Sequence, residues 1–199
     1  MEMFNILIAG VGGQGNVLIS RIIGRAALNE GHPVWVGETF GMGQRGGPVV
    51  SHIRLGRIVP APVIPEYQGD VVLGLEPVET LRVACRYLKK GKEVIINPRP
   101  VMPTNVTSGK GIYPPLEVIK NALKKITPNI KMIRGTDLAQ RAGNPLAMNM
   151  VMLGALAGSG KMPISIQKIR EVLKEEVPKG TESSNLKAFD LGIEAYQKE

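Results

Sequence analysis

The sequence predicts an α/β domain of Rossmann-like type: an open, mostly parallel sheet with helices on both faces and further helices closing the C-terminal end. Three observations carry this expectation. A continuous apolar run from Phe4 to Ala9 leads directly into Gly10-Val11-Gly12-Gly13-Gln14-Gly15, and a helical stripe follows from Asn16 to Ile23. This is the strand, glycine turn and helix of dinucleotide-binding sheets. Farther on, apolar strand-like runs alternate with stretches of helical period, which is the pattern of a sheet covered by helices. At 199 residues the chain suits a single domain spanning 1–199, long enough to bury a sizeable core.

The elements follow in order. Residues 4–9 are apolar throughout, as expected of a central strand covered on both faces. Residues 14–29 form the first helix, with Leu18, Ile19, Ile22, Ile23, Ala26 and Ala27 on a broad apolar stripe and Gly31 as its C-terminal cap. Val34 to Val36 return as a strand. Glu38 to Pro48 show neither period and hold four glycines, so they read as a built loop. Val49 to Gly56 form a strand, and a proline-rich connection from Val59 to Pro65 leads to another at Asp70 to Glu76. Pro77 then opens a helix, as proline does at a first helical position. Glu93 to Asn97 are a strand stopped by Pro98 and Pro100. Residues 98–114 read as an excursion or a short hairpin around Ser108-Gly109-Lys110-Gly111.

Leu116 to Ile126 are helical, Ile130 to Ile133 a strand, and Thr136 to Ala142 a short helix. Leu146 to Ala157 are apolar on all sides, which suits a helix buried between others, its methionines serving as core. Two amphipathic helices end the chain. Ile166, Ile169 and Leu173 align on the first, and Leu186, Phe189, Ile193 and Tyr196 on the second.

Ligands of open α/β sheets gather outside the carboxyl ends of the strands, so the candidate site lies there. Glycines let the backbone approach a ligand closely, and amides opening a helix lack intrahelical partners, so Gly10, Gly12, Gly13, Gln14 and Gly15 are expected to receive an anion. Glu38 falls some twenty positions on, where a dinucleotide site carries its ribose-binding acid. Beside it, Thr39, Gln44, Arg45, Gly46 and Gly47 combine forked guanidinium donors with exposed backbone amides, a set that clamps phosphate or carboxylate. Glu76 and Asn97 form a third group at the same end of the sheet. No Ser or Cys stands beside a His with an orienting carboxylate, so the chain reads as a binder with no catalytic residue of its own.

Composition narrows the classes. The single cysteine, Cys85, excludes an internal disulfide and a thiolate-held iron-sulfur cluster, and its place on a helical apolar position suggests a small buried hydrophobe. His32 and His52 lack ligand spacing, so no metal site is expected. The apolar runs are too short for a membrane helix and no export signal is visible, which points to a cytoplasmic protein. The net charge of +8 comes with only 4% aromatics, and the lysine runs Lys89-Lys90-Gly91-Lys92 and Lys124-Lys125 sit at expected helix ends, so no nucleic-acid surface is inferred. A self-contained NAD-dependent dehydrogenase fits the glycine turn with Glu38, and a basic nucleic-acid-binding module fits the charge alone.

Three segments are more specific. Gly10 to Gly15, Gly37 to Arg54 with its Glu38-Thr39 and Gln44-Arg45-Gly46-Gly47 core, and Asn144 to Ala155 together resemble the gamma domain of 2-oxoacid:ferredoxin oxidoreductases, closest to the beta-subunit type of the indolepyruvate enzymes. The likeness covers nearly the whole chain. In that family thiamine diphosphate attacks the 2-oxo carbon, carbon dioxide leaves, coenzyme A takes the acyl group and iron-sulfur clusters pass electrons to ferredoxin. The resemblance therefore implies a subunit that is inactive alone. Thiamine diphosphate, magnesium and the clusters would sit on a larger partner, coenzyme A would be the co-substrate, and this chain would line the thiamine-proximal region through its glycine turn and its Gln44-Arg45 segment. Indolepyruvate and other aryl pyruvates lead as substrates, ahead of 2-oxoglutarate and pyruvate.

Overall fold

The computed structural model describes residues 2–41, 46–56 and 61–199. Its sheet has six strands, β1 (Phe4–Val11), β2 (Val34–Phe40), β3 (Pro48–Leu55), β4 (Gly69–Gly74), β5 (Leu88–Ile96) and β6 (Ile130–Met132), in the order β2-β3-β1-β4-β5-β6. The helices are α1 (Asn16–Asn29), α2 (Pro77–Tyr87), α3 (Thr104–Thr107), α4 (Leu116–Ile126), α5 (Gly135–Arg141), α6 (Met148–Gly158), α7 (Ile166–Glu176) and α8 (Glu182–Lys198).

The α/β class holds, and one strand departs from a simple Rossmann order. β1, β4, β5 and β6 pair in parallel, while β3 lies antiparallel between β2 and β1. The sheet is therefore mixed. The reason is local, because only residues 41–47 join β2 to β3, and a short connection returns a strand only in the antiparallel sense. β3 pairs with β1 along its whole length, from Phe4 opposite Leu55 to Val11 opposite Pro48.

Burial on both faces explains the unbroken apolar runs. Ile6 and Ile8 of β1 join the core beneath α1, α6, α7 and α8, whereas Leu7 and Ala9 join a second core beneath α2 and α4. α6 is enclosed, with Met150 and Met152 fully buried as core. It meets α8 backbone to backbone. An ideal Cβ on Gly154 would stand 1.9 Å from the Phe189 carbonyl oxygen, and one on Gly192 1.9 Å from that of Val151. Only glycine fits either position.

Several expectations need correction. Glu38, Thr39 and Phe40 belong to β2 and not to a loop, since each pairs with β3. The hairpin around Ser108 to Gly111 is absent; Thr104–Thr107 form a single helical turn there. Lys89, Lys90 and Lys92 open β5, where Lys89 and Lys92 pair with the buried carboxylate of Asp70 at 3.2 and 3.3 Å. Leu146 lies in a 3-10 turn ahead of α6 with its side chain exposed. Cys85 is exposed on α2, because the buried stripe of that helix runs through Thr80, Val83 and Ala84 instead. Gly31 takes φ 75° after α1 and Pro77 opens α2, as the sequence predicts, and the structure adds Glu76 as the cap of α2, accepting from the Glu79 amide.

Candidate binding site at the carboxyl end of the sheet

The glycine turn stands where β1 ends, between two recesses. The larger is a cleft of about 820 Å³, lined by the turn, the first turns of α1, the end of β2 and the start of β3. The smaller, about 290 Å³, lies on the α2 side. Val11, Gly46 and Pro48 line both, so the base of the β2–β3 hairpin forms the wall between them. Two backbone bonds hold that wall. The Gly12 amide donates to the Gly47 carbonyl at 3.0 Å, and the Gly41 amide to the Pro48 carbonyl at 2.8 Å.

The turn is braced from within. Gln14 links the end of β1 to the residue that follows β4: its Oε1 accepts from the Val11 amide at 2.9 Å and its Nε2 donates to the Leu75 carbonyl at 3.1 Å. Asn16, buried at the first position of α1, donates through Nδ2 to the carbonyls of Ile8 and Val49 at 3.2 and 3.1 Å. These two side chains crowd Gly10, where an ideal Cβ would stand 2.7 Å from Asn16 Oδ1 and 2.8 Å from Gln14 Oε1. Gly10 is thus a packing glycine. Gly15 caps α1 in the left-handed region, at φ 86°, with no side-chain cap.

The four amides expected to receive an anion are therefore unequal. That of Gly12 is bound to Gly47 and that of Gln14 to the Val11 carbonyl at 3.2 Å. Those of Gly13 and Gly15 have no acceptor among the described residues, and nothing lies within 4 Å of where a Gly13 Cβ would be. Gly12, Gly13, Gly15, Gly46 and Gly47 all line the cleft. Glu38 and Thr39 do not. The Glu38 carboxylate accepts from Ser20 Oγ at 2.8 Å and Ser51 Oγ at 3.4 Å and faces a separate outer recess. Gln44 and Arg45 lie outside the described residues.

On the α2 side, Glu76 is buried, and its Oε1 accepts from the Tyr113 hydroxyl and the Val101 amide. Burial and this carboxylate push the Tyr113 phenol well above its ordinary value, so it stays a donor. Asn97 donates to the same Leu75 carbonyl that Gln14 uses, at 3.3 Å. Tyr113 and Asn16 escaped the sequence reading. Tyr113 lies 37 positions from Glu76 and left no signal, whereas a polar residue at the first position of an apolar helix was a legible sign for Asn16.

A glycine turn between a central strand and a helix, beside a divided recess at the carboxyl end of a mixed sheet, marks an α/β domain of Rossmann-like type. The chain belongs to the pyruvate ferredoxin/flavodoxin oxidoreductase family, whose model matches residues 5–195. It is similar to the indolepyruvate oxidoreductase subunit IorB of Archaeoglobus fulgidus, 43% identical over 188 residues, 94% of this chain and 92% of that one. The IorB subunit of Pyrococcus horikoshii is 41% identical over all of this chain and 98% of its own length. Among solved structures, the gamma subunit of a keto/oxoacid ferredoxin oxidoreductase from Geobacter sulfurreducens shares the fold at TM-score 0.72 and 21% identity, covering 98% of this chain and 99% of that one. The 2-oxoglutarate:ferredoxin oxidoreductase of Magnetococcus marinus, solved with 2-oxoglutarate, coenzyme A and succinyl-CoA bound, matches at TM-score 0.75 and 20% identity. There the fold covers all of this chain but 32% of the longer one. The resemblance to the gamma type is borne out.

Proposed function

We propose that the chain is the small subunit, one gamma-type domain over residues 1–199, of a cytoplasmic 2-oxoacid:ferredoxin oxidoreductase that converts indolepyruvate or related aryl pyruvates to acyl-CoA. The observation that carries this is identity above 40% with two IorB subunits across nearly the full length of both partners. The relatives named for 2-oxoglutarate synthase are more distant, at 28% identity.

This chain's donors do not fit the redox cofactors. Cys85 is a single exposed thiol, where a cluster takes four thiolates, and no group of three or more His, Cys, Asp or Glu suited to a metal occurs among the described residues. Thiamine diphosphate, magnesium and the clusters therefore belong, in this reading, to a larger partner subunit, with ferredoxin as electron acceptor. The role of this chain is to bind and orient. The Gly13 and Gly15 amides, helped by the positive end of α1, receive a phosphate of coenzyme A. The carboxyl edge of the sheet faces the partner, and Gln44 and Arg45 contribute to its thiamine region.

No described helix is long and apolar enough to cross a membrane. The alternative of a self-contained NAD-dependent dehydrogenase finds no support in Glu38, which is tied to two serines away from the cleft. Coexpression with the larger subunit tests the assignment. The complex should reduce a viologen dye with indolepyruvate and coenzyme A, faster than with pyruvate or 2-oxoglutarate, while the isolated chain turns over none of them. Turnover by the isolated chain, or a preference for pyruvate in the complex, would refute it.

A further inference from the structure

Residues 98–114 leave the sheet after β5 and return at α4, and both of their roots are fixed. The Asn97 amide donates to the Gly74 carbonyl at 2.8 Å and its side chain is buried, while Pro115 is the N-cap of α4. Between these roots no side chain is buried. The backbone bonds stay within the segment, with the Thr107 amide donating to the Pro103 carbonyl at 3.0 Å and the Lys110 amide to the Asn105 carbonyl at 2.8 Å. Pro98, Pro100, Pro103 and Pro114 fix φ along both limbs, which leaves few soft dihedrals and makes the segment one stiff piece.

Tyr113 fastens this piece to the body. Its ring is the part of the segment that packs against the core beneath α2 and α4. Its hydroxyl donates to Glu76 Oε1, which also accepts from the Val101 amide at 3.4 Å. Glu76 Oε2 is engaged by the Glu79 amide at 2.9 Å. One carboxylate thus grips α2 with one oxygen and the segment with the other.

The segment also overhangs unfilled space. Met102, Pro103, Val106 and Ile112 form one side of the 290 Å³ recess, and Val11, Gly46 and Pro48 the other. A second gap of about 250 Å³ lies between its limbs and Pro77 and Leu116. Ile112 is 94% exposed and Met102 46%. Large apolar side chains therefore stand in water beside a recess able to take them, and their transfer into it is favourable.

We propose that residues 98–114 are a flap poised to close over the α2-side recess, and that the bond from Tyr113 to Glu76 is the latch holding it open. Closure carries Ile112 and Met102 toward Val11 and Pro48 and fills the recess with the chain's own side chains. Val11, Gly46 and Pro48 also wall the larger cleft, so the closed flap braces that wall from behind.

The position of the flap can be measured in the purified full chain without an enzyme assay, so failure here leaves the proposed function standing. In a Cys85→Ser background, spin labels at Lys110→Cys on the flap and Leu28→Cys on α1 report one distance by double electron-electron resonance, and the latched chain should show a single main population. Tyr113→Phe, which loses the hydroxyl and keeps the ring, should add a second distance and raise its population at least tenfold over the latched chain, and Tyr113→Ala should raise it further. Adding Ile112→Ser to Tyr113→Phe should remove that second distance, because the closed position is held by the isoleucine. Hydrogen exchange at the Val101 amide should quicken at least tenfold in Tyr113→Phe while α2 and α4 exchange as in the wild type. A distance distribution unchanged by both Tyr113 variants, a second distance that survives Ile112→Ser, or faster exchange throughout α2 and α4 would overturn the proposal.

Discussion

The side chain of Asn149 on α6 occupies the space that a Cβ on Gly15 would need: an ideal Cβ there would stand 2.2 Å from Asn149 Nδ2. The last glycine of the motif is thus held by helix packing, in addition to its φ of 86°. Gly13, at φ 93°, has nothing within 4 Å of its absent Cβ.

These neighbours predict unequal substitutions. Gly13→Ala should cost about 1 kcal/mol, the strain of a left-handed alanine alone. Gly15→Ala adds a steric conflict and should cost on the order of 3 kcal/mol, enough to lower Tm by several degrees. Urea melts of both variants check this. Equal costs would show that Asn149 gives way freely.

Gln14 is expected to act on stability more than on ligand affinity. Gln14→Ala removes a bridge between the Val11 amide and the Leu75 carbonyl and should cost about 1 to 2 kcal/mol. Gln14→Glu should cost more, since a carboxylate would face the Leu75 carbonyl. Thermal melts decide, and a neutral Gln14→Ala would free that side chain for a ligand role.

Anion binding should depend on the two available amides. Soaks with phosphate or a coenzyme A fragment should place a phosphate within hydrogen-bonding distance of the Gly13 and Gly15 amides, leaving the bonds from Gly12 and Gln14 intact. Gly12→Ala, whose ideal Cβ clears its nearest neighbour by 3.6 Å, should leave the fold unchanged. An empty turn at high phosphate would assign the glycines to packing alone.

His52 should make stability dependent on acid. It is fully buried, its Nδ1 accepts from the Ile64 amide at 3.3 Å, and burial with the nearby charges of Arg54 and Arg86 lowers its pKa to about 4. The unfolded chain protonates near 6.5, the ordinary value, while the folded chain resists to about 4. This contribution is therefore complete above pH 6.5 and is lost as pH falls toward 4, on the order of 2 kcal/mol across the window. His52→Asn keeps an acceptor for Ile64 and should flatten that part of the profile, as urea melts at successive pH values would show.

Arg45→Ala should leave Tm of the isolated chain unchanged but raise the apparent KM for coenzyme A or the 2-oxoacid in the assembled enzyme, with Lys restoring only part because it lacks the planar fork. Loss of fold in the isolated variant with wild-type steady-state constants in the complex would make Arg45 structural.

The sequence by itself determined the elements whose signals are local. The run from Phe4 to Ala9, the glycine turn, the cap at Gly31, the Pro77 helix start and the helix over Leu116 to Ile126 all appear where period, capping and φ preference place them. The family was legible for the same reason, since its segments are contiguous. Tertiary structure decided whatever depends on a distant partner. It inserted β3 between β2 and β1, exposed Cys85, turned Glu38 to Ser20 and Ser51, and committed Gln14 to Leu75, 61 positions away. Motif spacing specifies where glycines permit close approach. Which atom makes that approach, a ligand's or the chain's own Asn149, is set by packing between elements far apart in sequence.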